Sequence, residues 1–387
     1  MNKKPSFLTK CALWTCGFGA FSDGVVVPIA GLIFKEFSST STVMQNMILS
    51  GSSLFAIISA VLTIYLMKKV DLKKILILGS ALYFIGGVCG CFSTGSLFLL
   101  VTRIIDGLSD GVLSVVAIAA ITRLYTDEKE KSIVFGGYNA VSALFGLIVS
   151  SLAGILALKS WRLAFLCNGI SGIGLLLIIL SVPSMPPEAD DKRASEKGPR
   201  KLSGKIILSL LTFLVSASLT TQAYYLADYY VAEHEIGGSV ESGTLLSILT
   251  ICNLLSGVVF PLIYPKLKRV FKSFILIVSA VSLVTLYYAY SYLGAAIGLG
   301  LAGFINGLCA VYYSMLVSEE SPTESLGLYA AMYTLVMYFQ GFIAPYIPSV
   351  LGALFKVSTI SGTFIYSAVF CLIMGLCLLL TRFKKAK

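Results

Sequence analysis

Charge is scarce in this sequence. Only 12% of the 387 residues are Asp, Glu, Lys or Arg, about half the share carried by soluble domains, which excludes a water-exposed surface over most of the chain. Histidine occurs once, as His234 in a connecting loop, and the nine cysteines (Cys11, Cys16, Cys89, Cys91, Cys167, Cys252, Cys309, Cys371 and Cys377) all sit inside apolar runs. No metal-ligand spacing survives that inventory, so no metal and no cofactor is expected, and the cysteines read as small packing residues. A phosphate-binding Gly-x-x-x-x-Gly-Lys-Ser/Thr loop is missing, which argues against ATP drive within the chain. The lack of a catalytic constellation argues against an enzyme. A repeated filter segment is missing as well, which counts against a channel.

What is abundant is apolar sequence, 57% of the residues, laid out in runs of about 20, the length that crosses a bilayer. Twelve such runs lie near 8–34, 44–66, 74–95, 97–122, 132–157, 161–183, 206–231, 243–264, 273–292, 294–317, 326–350 and 358–381. The basic start and first apolar run mimic a signal peptide, but the run is too long and shows no small-x-small cleavage site, so it is expected to stay as the first helix. The predicted fold class is an all-α membrane protein, with twelve transmembrane helices in two pseudo-symmetric six-helix bundles. Residues 1–184 form the N-terminal bundle, 185–205 a hydrophilic cytoplasmic linker with Pro186-Pro187 and Asp190-Asp191, and 206–387 the C-terminal bundle. The net charge of +10 is distributed by side: Lys35, Lys159, Arg162 and Lys356 occupy connections on one side, Arg103 lies within a span, and every other Lys and Arg falls on the opposite side. That asymmetry places both termini in the cytoplasm and the chain in the inner (plasma) membrane. Basicity here reports orientation, and no nucleic-acid partner is expected.

The halves look related. Asp106-Gly107-Leu108 recurs as Asn306-Gly307-Leu308, and Ile75-Leu76-Ile77 as Ile275-Leu276-Ile277, both offset by 200. An even number of spans between matching points makes the repeat parallel, with an axis along the membrane normal. Within the fourth run, Arg103, Asp106 and Asp110 share one helical stripe, because steps of three and seven residues return to within about 60° of the start. Charges at that depth face a protein interior or a watery cavity, not lipid.

Six plus six spans, a basic connection after the second run, and Arg103 followed four residues later by Gly107 together resemble the major facilitator superfamily. Trp161-Arg162 with Phe165, opening the sixth run, matches a common superfamily pattern and reads as interfacial anchoring. The signature between helices two and three is degraded: Ile64, Lys68 and Asp71 replace its Gly, Asp and second Gly, leaving the cations Lys69, Lys73 and Lys74. The fifth-helix Gly-Pro motif of drug and proton antiporters is also absent, since Gly146 to Gly154 contains no proline. The resemblance implies a secondary transporter, and in proton-coupled members an arginine at the place of Arg103 helps proton transfer.

The proton-coupling set is therefore Asp23, Arg103, Asp106 and Asp110. A carboxyl in a low-dielectric cavity beside an arginine is balanced between charged and neutral forms, and can carry a proton from one side to the other. The alternative is an inert ion pair of Arg103 with Asp106 or Asp23. Substrate-binding candidates are Asn139, Gln222, Tyr225, Asn253, Asn306, Tyr313, Tyr333 and Gln340, neutral hydrogen-bonding and aromatic groups suited to a solute with polar and flat portions. For the tyrosines, an interfacial belt is the alternative. Asp228 is expected near the outer headgroups as a solvated charge. Gating candidates are Lys69, Lys73 and Lys74 against Asp127 and Glu128, with Glu319-Glu320 facing Lys266 to Lys272. Partners are a small organic solute, neutral or cationic rather than strongly anionic, protons and the lipid bilayer. A monomer is expected, with one solute site at mid-depth between the bundles. Uptake symport, drug or metabolite efflux, and a non-transporting membrane sensor or scaffold on the same fold all remain open at this point.

Overall fold

The computed structural model describes residues 6–21, 23–187, 204–268, 270–320 and 326–384. Most of the predicted linker lies outside these residues. Every regular element among them is helical. Eleven helices are long and apolar enough to cross a membrane, or twelve if the bent pair at the start counts as one span. The chain divides into two compact units, Met1–Pro199 and Arg200–Lys387.

The first unit is built from α1 (Phe7–Thr15), α2 (Asp23–Val26), α3 (Ala30–Glu36), α4 (Thr42–Leu66), α5 (Leu72–Cys89), α6 (Ser96–Leu124), α7 (Glu128–Ala157), α8 (Trp161–Ala164) and α9 (Ser171–Ser181). The predicted single first helix is corrected to a broken one. Cys16–Phe21 and Val27–Ile29 are 3₁₀ turns, and Phe7–Gly19 is inclined by 55° to Asp23–Glu36. Gly17 and Gly19 lower helix propensity there, and Pro28 removes a backbone donor. Elsewhere the helices begin where short polar side chains stand. Ser41, Asp71, Asp127 and Ser160 each accept a hydrogen bond from a backbone N–H of the first turn, satisfying donors the helix itself cannot.

In this unit α6 is central, packed on α4 and α5. The α4–α6 contact is tight because Gly107 and Gly111 lie directly on the backbone of Ser52 and Ala56, the close approach that small residues permit between membrane helices. At one end Glu36 ties the first span to the sixth: Trp161 Nε1 donates to Oε2 at 2.6 Å, Arg162 Nη2 to Oε1 at 2.6 Å, and the guanidinium stacks on the Trp161 ring. Trp161 is buried. The predicted interfacial anchor is therefore also an internal clasp.

The second unit comprises α10 (Gly204–Tyr225), α11 (Ala227–Glu233), α12 (Ser239–Leu267), α13 (Phe271–Tyr288), α14 (Tyr292–Glu320), α15 (Leu326–Ile343), α16 (Ile347–Phe355) and α17 (Ile360–Lys384). Its packing repeats the first. Helix α14 lies on α12 as α6 lies on α4, with Gly303 against Leu249 O and Gly307 against Asn253 O. A carboxylate again ties the first span of the unit to its last, here Glu233, which accepts from the N–H of Ile360 and of Ser361 and from the Ser361 hydroxyl. The core is aromatic, with Phe213, Phe260, Phe271, Tyr312 and Tyr313 buried together.

Candidate functional site

Arg103 is completely buried in α6, and its planar fork is fully engaged. Nη1 donates to Asp106 Oδ2 at 2.7 Å, one turn along the same helix. Nη2 donates to Asp23 Oδ1 and to Ser52 Oγ at 3.2 Å, and Nε donates to the Ile48 carbonyl at 3.3 Å. The Ser52 hydroxyl donates to Asp23 Oδ1 at 2.7 Å. One guanidinium thus joins α2, α4 and α6, and the break in the first span puts Asp23 in the opening turn of α2, within its reach. The predicted trio Asp23, Arg103 and Asp106 is brought together. Both ion pairs weighed in the sequence are present at once.

Two features set this cluster apart from a closed ion pair. Asp106 Oδ1 is buried with no hydrogen-bond partner among the described residues, and it rests against Gly86 of α5. Asp110, buried one turn further along α6, lies beside Gly19 in the 3₁₀ turn of the first span. Two carboxyls contact one guanidinium and a third, Asp110, is buried a turn beyond Asp106, so the acidic groups of this stretch outnumber its buried cation. Behind it, Tyr83 and Asn168 share a buried hydrogen bond of 3.3 Å.

In the second unit Gln222 and Gln340 are buried and Asn306 is half-buried. Asn306 Nδ2 donates to Thr221 Oγ1 at 2.6 Å, and Gln222 Nε2 to the Leu219 carbonyl at 2.8 Å. The Oε1 atoms of Gln222 and Gln340 have no partner among the described residues. Tyr313 and Tyr333 sit against Phe213, with ring centroids 5.0 and 5.3 Å away, and the Tyr333 hydroxyl donates to the Ala310 carbonyl. Both tyrosines are thus held in the aromatic core. Tyr225 is buried against Tyr224. Asn253 is half-buried, while Asn139 is exposed and donates to the Phe135 carbonyl of its own helix. Asp228, expected to be solvated, is buried at the start of α11, because the turn at Leu226 folds that short helix back onto α12 and α17.

The sequence profile of the Major Facilitator Superfamily matches residues 13–345. The chain belongs to the Major Facilitator Superfamily. Among curated proteins it is similar to multidrug resistance protein MdtL of Shigella flexneri serotype 5b (strain 8401), 30% identical over 158 residues, and to MdtL of Escherichia coli (strain K12 / DH10B), 29% identical over 158 residues. Each match covers 38% of this chain and 39% of the relative, so the likeness spans about two-fifths of the curated relatives' length. Among solved structures, a peptide transporter, POT, superposes with a TM-score of 0.77 at 12% identity, covering 97% of this chain and 94% of that one. A D-xylose-proton symporter superposes with 0.72 at 17% identity, covering 96% of each. A bacterial homolog to the human lysosomal transporter Spinster gives 0.74 at 13%, covering 97% and 96%. These structures show the fold, and the chain is an all-helical member of the superfamily with eleven or twelve candidate membrane spans among the described residues.

Where the superfamily signature is degraded, Asp71 holds the local structure together. Its carboxylate caps α5 through the Lys73 N–H at 2.7 Å and accepts from the Ser184 hydroxyl, while the Leu72 N–H donates to the Met185 carbonyl at 3.0 Å. Arg123 Nη1, ending α6, donates to the Pro186 carbonyl at 2.6 Å. Burial pushes the Asp71 carboxyl up, but hydrogen bonds from Ser184 and the backbone N–H groups of Met185, Lys73 and Lys74 outweigh it and hold it below the usual carboxylate range. A group depressed on folding adds stability above its unfolded pKa of about 3.9 and loses it as pH falls through the folded value. Asp71→Ala is therefore expected to loosen residues 182–187 at neutral pH by up to about 1 kcal/mol, the worth of a cap. Faster amide exchange there in the variant, with parent and variant converging at acid pH, is the result to look for. Of the gating set, Asp127 caps α7 through the Glu130 N–H, and among the described residues it makes no ion pair with Lys69, Lys73 or Lys74. The side chains of Glu128, Glu319 and Glu320 and the whole of Arg269 lie outside the described residues.

Sequence reading missed Ser52, Glu36, Glu233 and the placement of His234. The histidine is buried, with Nδ1 2.8 Å from the Ala289 carbonyl and its ring against Tyr230 and Tyr290. For Ser52 a signal existed: Ser50, Ser52, Ser59 and Thr63 are small polar residues in a largely apolar span, and all are buried.

Proposed function

We propose that this chain is a proton-coupled secondary transporter that carries a small organic solute, neutral or cationic, by alternating access across the inner (plasma) membrane, with both termini cytoplasmic. The observation that carries the reading is the buried Arg103 bridged to Asp23 and Asp106 with Asp110 alongside. A purely structural ion pair needs one carboxylate, whereas here two contact the guanidinium, a third is buried a turn away, and Asp106 Oδ1 is left unmatched. Each buried charge is costly unless paired, so surplus carboxyls beside a packed arginine are explained by protons that come and go. The similarity to MdtL favours a specific second form of the reading, export of drug-like solutes in exchange for protons.

The test uses the full chain in proteoliposomes with an imposed pH gradient and a panel of small metabolites and amphiphilic cations, ethidium among them. Accumulation with the proton gradient marks symport, and extrusion against it marks antiport. Asp23→Asn, Asp106→Asn and Asp110→Asn are each examined under the same gradient. At least one is expected to reduce pH-driven flux at least about a hundredfold, the lower end of what a single proton-transfer group contributes, while solute exchange without a gradient persists. Full pH-driven flux in all three variants sinks the coupling, and binding without flux points to a sensor on the same fold.

A further inference from the structure

Asp106 Oδ1 is buried with no hydrogen-bond partner among the described residues, and a buried polar atom left unmatched is costly in either charge state. Ionised, the oxygen needs a donor. Protonated there, it needs an acceptor. A hydroxyl can be both from a single atom, and helix α5 aims one at this place.

Gly79 of α5 lies on Val112 and Leu113, and Gly86 on Ile105 and Asp106, so α5 and α6 run antiparallel with Tyr83 level with Ser109, between Asp106 and Asp110. Around α5, at about 100° per residue, the direction of Tyr83 falls between those of Gly86 and Gly87, roughly 60° from the first and 40° from the second. Asp106 Oδ1 lies 2.6 Å from where a Cβ at Gly86 would stand, and the Asn168 Cβ 2.7 Å from where one at Gly87 would stand. The two glycines therefore leave room for the fully buried Tyr83 ring to run up between the carboxyl and the amide. Its hydroxyl donates to Asn168 Oδ1 at 3.3 Å, while Asn168 Nδ2 donates to the Gly87 carbonyl. A separation of about 2.7–2.8 Å is usual between two oxygens, so this hydroxyl is loosely held. Of the charged groups around it, it interacts most strongly with Asp106, ahead of Arg103, Asp110 and Asp23. Those same groups, Arg103 and Asp110 from α6 and Asp23 from α2, are the charges that act on Asp106. Helix α4 adds the neutral Ser52 hydroxyl and Ile48 carbonyl to the cluster, and the 3₁₀ turn Phe165–Ile170 the neutral Asn168.

We infer that Tyr83 is a positioning residue for Asp106: its hydroxyl accepts from the protonated carboxyl while still bonded to Asn168, and swings from Asn168 to donate to Oδ1 when that proton leaves. Tyr83 keeps its own proton throughout, and the one released is the carboxyl's, passing to water. The inference rests on the proton-coupling reading above and names the group that meets Asp106 in both of its charge states.

The experiment titrates the purified full chain by infrared spectroscopy, following the C=O stretch of protonated carboxyls in the wild type, Tyr83→Phe and Asn168→Leu. Each is also prepared with Asp106→Asn, and the part of the band that this change removes belongs to Asp106. Tyr83→Phe keeps the ring and removes the donor that the ionised carboxylate would use. The Asp106 signal should then persist to at least about tenfold lower proton concentration, the worth of one hydrogen bond to a charged group. Asn168→Leu takes away the competing acceptor, frees the hydroxyl for Oδ1 and should displace the signal the opposite way. A tyrosine that merely fills space gives no such opposition. An Asp106 signal unmoved in Tyr83→Phe, or moved alike in both variants, overturns the inference, as does a wild type with no Asp106 signal at any pH. If Tyr83→Phe yields no folded protein, Asn168→Leu decides alone, and its signal staying in place overturns the inference. Opposite displacements in a protein whose flux ignores an imposed pH gradient overturn the transport reading and leave the assignment of Tyr83 standing.

Discussion

Replacing Arg103 with Met is expected to cost about 3–5 kcal/mol of stability, the range for breaking a buried pair from one side. The guanidinium is fully buried and contacts Asp23, Ser52, Asp106 and the Ile48 carbonyl. Removing it leaves Asp106 and Asp23 facing one another without the cation between them. Arg103→Lys should fall nearly as far, because an ammonium cannot reproduce a planar fork that reaches two carboxylates and a carbonyl in different directions. The triple variant Arg103→Met, Asp23→Leu, Asp106→Leu is the informative partner. Exchanging a whole buried ion cluster for apolar side chains is often neutral or stabilising, so the triple variant should regain a melting temperature near that of the parent while carrying no pH-driven flux. Recovery of stability without recovery of flux separates the two roles of the cluster. If Arg103→Met alone melts with the parent, the cluster is not holding α2, α4 and α6 together.

The stripe of Arg103, Asp106 and Asp110 was legible because helical periodicity fixes which residues share a face, and because charge inside an apolar run has few places to go. The helices themselves were legible for the same reason, since the bilayer leaves the backbone little alternative. What periodicity could not supply is the third dimension. Asp23 reaches Arg103 from 80 residues away, and only through a break in the first span that is written weakly, in two glycines and a proline. Glu36 and Arg162 are 126 residues apart, and nothing local marks either as a partner of the other. For Tyr313 and Tyr333 the difficulty is of another kind. An aromatic in a span can face lipid, a neighbour or a polar path at the same helical spacing, and here the neighbour is Phe213. Asp71 shows how a motif position can change its role. With the signature glycine gone, the carboxylate caps its own helix and holds Ser184 instead.

Gly107→Val is expected to have the other large effect, and through backbone instead of charge. A Cβ at Gly107 would overlap the Ser52 carbonyl oxygen and stand 2.7 Å from the Ser52 Cα and 2.8 Å from its carbonyl carbon. No rotamer change can relieve that, because the atoms in the way belong to the main chain of α4, so α4 and α6 must part. Overpacking in a core usually costs about 1–3 kcal/mol and occasionally more. Here separation also pulls Ser52 away from Asp23 and Arg103, one turn from the substituted residue, so the upper end or beyond is expected. Gly107→Ala should be milder but in the same direction, and Gly307→Ala should show the same defect in the second unit, where the Asn253 carbonyl oxygen would lie 2.5 Å from the new Cβ. Gly136→Ala is the control: it sits in α7 with nothing within 4 Å, and exchanging Gly for Ala in a helix is favourable by up to about 1 kcal/mol. Melting temperatures and the yield of monodisperse protein across the four variants read out the order directly. Gly107→Val that folds and transports as the parent does would mean that the α4–α6 approach is not what positions Ser52 beside Asp23 and Arg103, and the geometry of the whole cluster would need another cause.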